Sequence, residues 1–244
     1  MLSFLYKEGP FTRGIFRRSA NAKSCRELKE KLNLGAEVHL ACESIFVTAS
    51  VFKDFLRNIP GSIFSSQLCD KWVSVMDQGN HEEKIKDIQR LIEQLPRANV
   101  VLLRYLFGVL HSIEKQSEDN QMTAFNLAVC IAPSMLWPPA PSSPETESKF
   151  TKKVSILVQF LIENCCRIFG EEISTLFGDI LIRCDNREDG SGNICFINTS
   201  LTQPVRRLST FLGRLLFSTH IICPSKILLS VHKCIHKRAL SLSQ

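Results

Sequence analysis

The chain has 244 residues, 44% apolar and 22% charged, a composition that suits one globular domain with a tail and excludes disorder throughout. Residues 1–189 carry 23 Lys and Arg against all 24 acidic residues, for −1, whereas residues 190–244 carry seven Lys and Arg and no acid, for +7. A neutral body argues against nucleic-acid binding, which concentrates positive charge, and leaves two readings open for the basic tail: a disordered segment with no partner, or weak membrane contact at an anionic surface.

Read along the chain, the pattern is helix after helix. Residues 2–6 are a short apolar start. Pro10 leads into Gly14-Ile15-Phe16-Arg17-Arg18-Ser19, a loop in which Ile15 and Phe16 are natural anchors for the arginine that follows. Short helices are predicted over 22–32, 44–57 and 67–77. Over 82–95, Ile85, Ile88, Leu91, Ile92 and Leu95 form a stripe of period 3.6, and Asn80 with Glu83 resembles a capping box. Pro96 stops that helix and opens the next, 97–116, which is apolar on nearly every side and therefore belongs at the centre of a bundle.

Asn126-Leu127-Ala128-Val129-Cys130-Ile131-Ala132-Pro133 is an apolar helix opened by a polar residue, read as a cap. Residues 137–144, rich in Pro and Ser, form a surface loop. Apolar positions from Phe150 to Ile168 make one more helical stripe, closed by Gly170. Weak alternation at 180–184 and 193–198 is the only strand signal. The domain is expected to span residues 1–178. Residues 179–244 are a linker and a mostly irregular, disordered basic tail, in which 204–217 has the pattern of a short amphipathic helix.

No apolar run reaches the about 20 residues needed to cross a bilayer. The first seven residues lack the features of a secretion signal. Ten cysteines lie scattered with no Cys-x-x-Cys pair, which points to reduced thiols and a cytoplasmic protein. Cys223, His232, Cys234 and His236 match no common zinc spacing, so no metal site is expected.

Three segments stand apart. The first is the Gly14–Arg17 loop. The second is Lys53-Asp54-Phe55-Leu56-Arg57-Asn58-Ile59-Pro60, where Lys53 and Arg57 share a helix face despite a repulsion of a few tenths of a kcal/mol. The third is the stretch from Asn126 to Pro133. Singly, they read as a solvated arginine, a wet helix face and a cap. In this order and at these separations they resemble the "GIFR" loop, the "K-x-x-L-R-x-L-P" helix and the "N-L-A-x-x-x-x-P" helix of the RhoGAP family, the activators of Rho-type GTPases. Here Ile59 stands for the usual Leu.

The resemblance implies an all-α, RhoGAP-like bundle of about seven to nine helices with a truncated first helix. It implies a regulator that stimulates GTP hydrolysis by a GTP-bound Rho-family small GTPase and is not itself a hydrolase. By position in the motif, Arg17 is the catalytic arginine finger, and Arg18 faces another way. Lys53, Arg57 and Asn126 match residues at the GTPase interface, with Lys53 and Arg57 supporting the finger loop. Pro133 matches a structural, helix-ending proline. No cofactor or metal of the chain's own is implied, since nucleotide and magnesium belong to the partner. Three departures from the family pattern are Arg13, where Glu is usual, the shortened first helix, and Ala132-Pro133-Ser134 for "G-P-N". They motivate an alternative: a module that binds a small GTPase without stimulating it.

Overall fold

A computed structural model describes residues 1–77, 79–138, 143–174 and 176–177. Among them are ten α-helices, several short 3-10 turns and no strand. The helices are α1 (Leu2–Glu8), α2 (Ala22–Asn33), α3 (Ile45–Arg57), α4 (Cys69–Val75), α5 (His81–Glu93), α6 (Arg97–Glu114), α7 (Ser117–Asn120), α8 (Ala124–Ile131), α9 (Pro144–Glu163) and α10 (Cys165–Phe169). The candidate strands, the zinc-like Cys and His set, and the tail helix all lie outside the described residues.

The helix that is apolar on nearly every side lies at the centre of the bundle, as its pattern demands. Leu103, Leu106, Phe107, Leu110 and Ile113 of α6 are fully buried. Helices α1, α8, α9 and α10 pack around it. Gly108 lets a neighbour come close, since a Cβ there would lie 3.3 Å from the Ile173 carbonyl oxygen. Beyond α10 the chain returns over α1 and α6. Phe177 stacks on Tyr6 with ring centroids 4.2 Å apart, and meets Tyr105 edge-on at 5.4 Å. A second, smaller cluster of Leu28, Val47 and Val51 joins α2 to α3. The Lys29–Asp54 ion pair bridges the same two helices.

Four local expectations are corrected. The stripe from Phe150 to Ile168 is two helices, because Asn164 leaves helical geometry (φ −107°, ψ 22°) and its side-chain amide donates to the Phe160 carbonyl at 3.0 Å. That local bond competes with the helix ladder. The helix expected over 67–77 is shorter, Cys69–Val75, and follows a 3-10 turn at Ser66–Leu68. Asn80 caps α5 by accepting from the Glu82 amide rather than that of Glu83. Pro144 belongs to α9 as its first residue, where the missing N–H costs nothing, with Ser143 as the cap.

Candidate functional site

The Gly14–Arg17 loop is built from both ends. Gly14 takes a left-handed φ of 73°, and its carbonyl accepts from the Arg17 and Arg18 amides at 3.1 and 3.0 Å. Phe16 is also left-handed, at φ 63°, a conformation that an aromatic residue adopts only when its surroundings impose it. Here they do, because Ile15 and Phe16 are buried in the main core. This leaves Arg17 exposed, on a backbone that is anchored on both sides.

The second anchor comes from α3. The Lys53 ammonium donates to the Phe16 carbonyl oxygen at 2.7 Å, so Lys53 is tied to the backbone of the residue that precedes Arg17. Burial pushes the Lys53 ammonium below the usual lysine range. The nearby Cys130 sulfur opposes that push, and Arg57, one turn along, adds to it. Arg57 is exposed at the end of α3, on the same face. The guanidinium of Arg18 lies over the Phe46 ring, 4.9 Å from its centroid.

Helix α8 completes the surroundings. Its cap is Thr123, whose hydroxyl accepts from the Asn126 amide at 3.3 Å, so Asn126 is the third residue of the helix and not its cap. The Asn126 side chain instead donates to the Gln121 carbonyl at 3.1 Å. Pro133 is exposed and sits in the 3-10 turn Ala132–Ser134 that follows α8. Phe125 and Val129 of α8 are large apolar side chains left exposed. Cys130, half-buried, is close enough to Lys53 and Arg17 for both charges to oppose the rise that burial imposes on its thiol.

Sequence reasoning missed two groups beside this loop. One is Asn120, buried in the α6–α8 connection, whose backbone carbonyl accepts from the Gly14 amide at 2.9 Å. The other is Phe46, the platform for Arg18. A lone Asn and a lone Phe carry no periodic or motif signal. Among the described residues, no group of three or more His, Cys, Asp or Glu is gathered to hold a metal ion. No helix among them is long and apolar enough to cross a membrane.

The RhoGAP domain family matches residues 1–140. The chain belongs to the RhoGAP family. Human Rho GTPase-activating protein 20 is 75% identical over 196 residues, which cover 80% of this chain and 16% of that protein. The human T-cell activation Rho GTPase-activating protein is 45% identical over 175 residues, 71% of this chain and 24% of that one. The RhoGAP chain described here therefore spans about a sixth to a quarter of the length of these relatives. Two solved RhoGAP-type structures share the fold. Human Rho GTPase activating protein 15 has a TM-score of 0.64 and 21% identity over 69% of this chain and 81% of that one. The BH domain from GRAF, the GTPase regulator associated with focal adhesion kinase, has a TM-score of 0.59 and 24% identity over 69% and 94%.

Proposed function

We propose that this domain stimulates GTP hydrolysis by a Rho-family small GTPase, with Arg17 entering the partner's nucleotide site. The observation that carries this reading is an exposed arginine on a loop whose neighbouring side chains are buried and whose backbone is tied to Lys53. Phosphoryl transfer builds negative charge on the phosphoryl oxygens. A planar, permanently charged guanidinium can meet two such oxygens at once, and preorganisation saves the cost of aiming it. Arg57, exposed on the face that Lys53 shares, offers a second cation to an acidic partner surface. Asn126 and Pro133 lie at the two ends of α8. The nucleotide and its magnesium arrive with the GTPase.

The test is single-turnover hydrolysis by purified Rho, Rac and Cdc42 types with and without the domain. Arg17→Ala is expected to lose about 10³–10⁵ of stimulation, the range for fingers in Ras-type systems. Arg17→Lys should not restore it, because a point charge lacks the planar fork. Full stimulation by Arg17→Ala would refute the assignment.

A second reading, binding without stimulation, is favoured by Arg13. This side chain is exposed immediately before the loop and adds positive charge beside the finger. On that reading the wild type binds a GTP-loaded GTPase but leaves its hydrolysis rate unchanged, and Arg13→Glu raises stimulation. A wild type that is already fully active, and an Arg13→Glu variant with no gain, would dismiss it.

A further inference from the structure

We propose that Asn120 is a positioning residue for Arg17, acting through the backbone of the loop that carries it; the inference rests on Arg17 being the finger. Asn120 is 1% exposed and lies far from Arg17 in sequence, yet it makes the bonds that fix where the loop begins. Its side-chain amide donates to the carbonyls of Pro10 at 2.9 Å and Ile113 at 2.7 Å. Its side-chain oxygen accepts from the Met122 amide at 2.8 Å. Its own carbonyl accepts from the Gly14 amide at 2.9 Å. One residue therefore ties the approach to the loop, the loop's first residue, the end of α6 and the start of the α7–α8 turn to a common point.

The geometry assigns a division of labour. Lys53 holds the loop within its turn, at the Phe16 carbonyl; Asn120 holds the turn's first residue, at Gly14, and the approach to it, at Pro10. Both points are needed, because a loop fixed at one point pivots about it. The neighbouring Gln121 is left-handed at φ 59°, and the Asn126 side chain donates to its carbonyl. Asn126 thus braces the turn that presents Asn120. A small displacement of the guanidinium is costly, since a misplacement of about 1 Å can reduce a rate by about 10²-fold.

The experiment uses the full chain carrying Asn120→Ser or Asn120→Ala, alone and combined with Arg17→Ala. Affinity is measured for the GTPase holding a non-hydrolysable GTP analogue, and for the GTPase holding GDP with aluminium fluoride, which mimics the transferring phosphoryl group. The expected result is a stimulated rate lowered by roughly 10²-fold. A similar loss of affinity is expected for the fluoride complex, with little change for the ground-state analogue. Added to Arg17→Ala, either substitution is expected to cost nothing further, because groups that act through one another are not additive. Amide exchange should quicken over residues 9–18 and stay unchanged over α6.

Equal losses of both affinities, additive losses with Arg17→Ala, exchange that quickens over the whole domain, or failure of both variants to fold would each overturn the proposal and assign Asn120 to general stability. The two readings fail separately. If Arg17→Ala leaves stimulation intact, the finger itself is wrong; if it abolishes stimulation while the Asn120 variants keep theirs, only the present inference is wrong.

Discussion

The Lys53 ammonium is a charge the fold half-buries in order to hold a carbonyl. Its depressed pKa states the cost: folding favours the neutral amine relative to the unfolded chain. The sign follows. Between the lowered value and the usual lysine value the unfolded chain binds more protons, so Lys53 makes stability rise with pH across that window. Lys53→Met keeps most of the stem and removes both the burial cost and the bond to Phe16. We expect the two to offset, with thermal stability changed by less than about 1 kcal/mol. The stimulated rate should still fall by about 10²-fold, since the backbone carbonyl immediately before Arg17 then loses its side-chain anchor. Melting temperature beside single-turnover hydrolysis checks both halves, and a large loss of stability with an unchanged rate would reverse the argument. A motif could point to Lys53, but only folding shows what it grips, because its partner is a backbone carbonyl and every residue has one.

Helix α6 shows what periodicity can and cannot say. Its sequence, apolar on nearly every side, placed it at the centre, and there it lies. The α9–α10 break was not legible, because the apolar stripe continues across Asn164 while the backbone does not. The role of Gly108 was hidden as well. A glycine inside a helix reads as a loss of about 1 kcal/mol against alanine, yet here it lets the Glu171–Ser174 turn rest on the helix. Gly108→Val is expected to destabilise the domain by about 1–3 kcal/mol through overpacking against Ile173. Denaturant unfolding would show this, and a gain in stability would mean that the turn moves aside freely.

Across the whole molecule, the three motifs sit 36 to 73 residues apart along the chain from Arg17 to Lys53 and on to Asn126, and the bundle sets Lys53 against the loop's backbone and Cys130 of α8 within electrostatic reach of Lys53 and Arg17. The family match ends at residue 140, but the core does not. Val154, Leu157, Val158, Leu161, Ile162 and Phe177 are all buried in the cluster that also holds Ile15 and Phe16. Each contributes roughly 1.5–3 kcal/mol by burial, so together they match or exceed a typical domain stability of about 5–15 kcal/mol. A chain ending at residue 140 is therefore expected to lose cooperative unfolding, whereas one ending at residue 178 keeps it. Circular dichroism melts of the two would decide, and a sharp transition in the shorter chain would disprove the claim. The general outline was legible because helix patterns are local. The site was legible only as three motifs, because the grip of Asn120 and the stacking of Arg18 join residues that share no spacing rule.

The small cluster of Leu28, Val47 and Val51 carries one more consequence. It is separate from the main core, so α2 has its own, weaker tether to the rest of the bundle. Segments with fewer buried contacts open first, as units, at free energies well below global unfolding. Helix α2 begins four residues after Arg18. Its detachment would free the chain downstream of the finger loop while Lys53 and Asn120 still held the loop itself. Opening there loosens the packing of α2 on α3, the helix that carries Lys53, and a protease would find that hinge before it found the core.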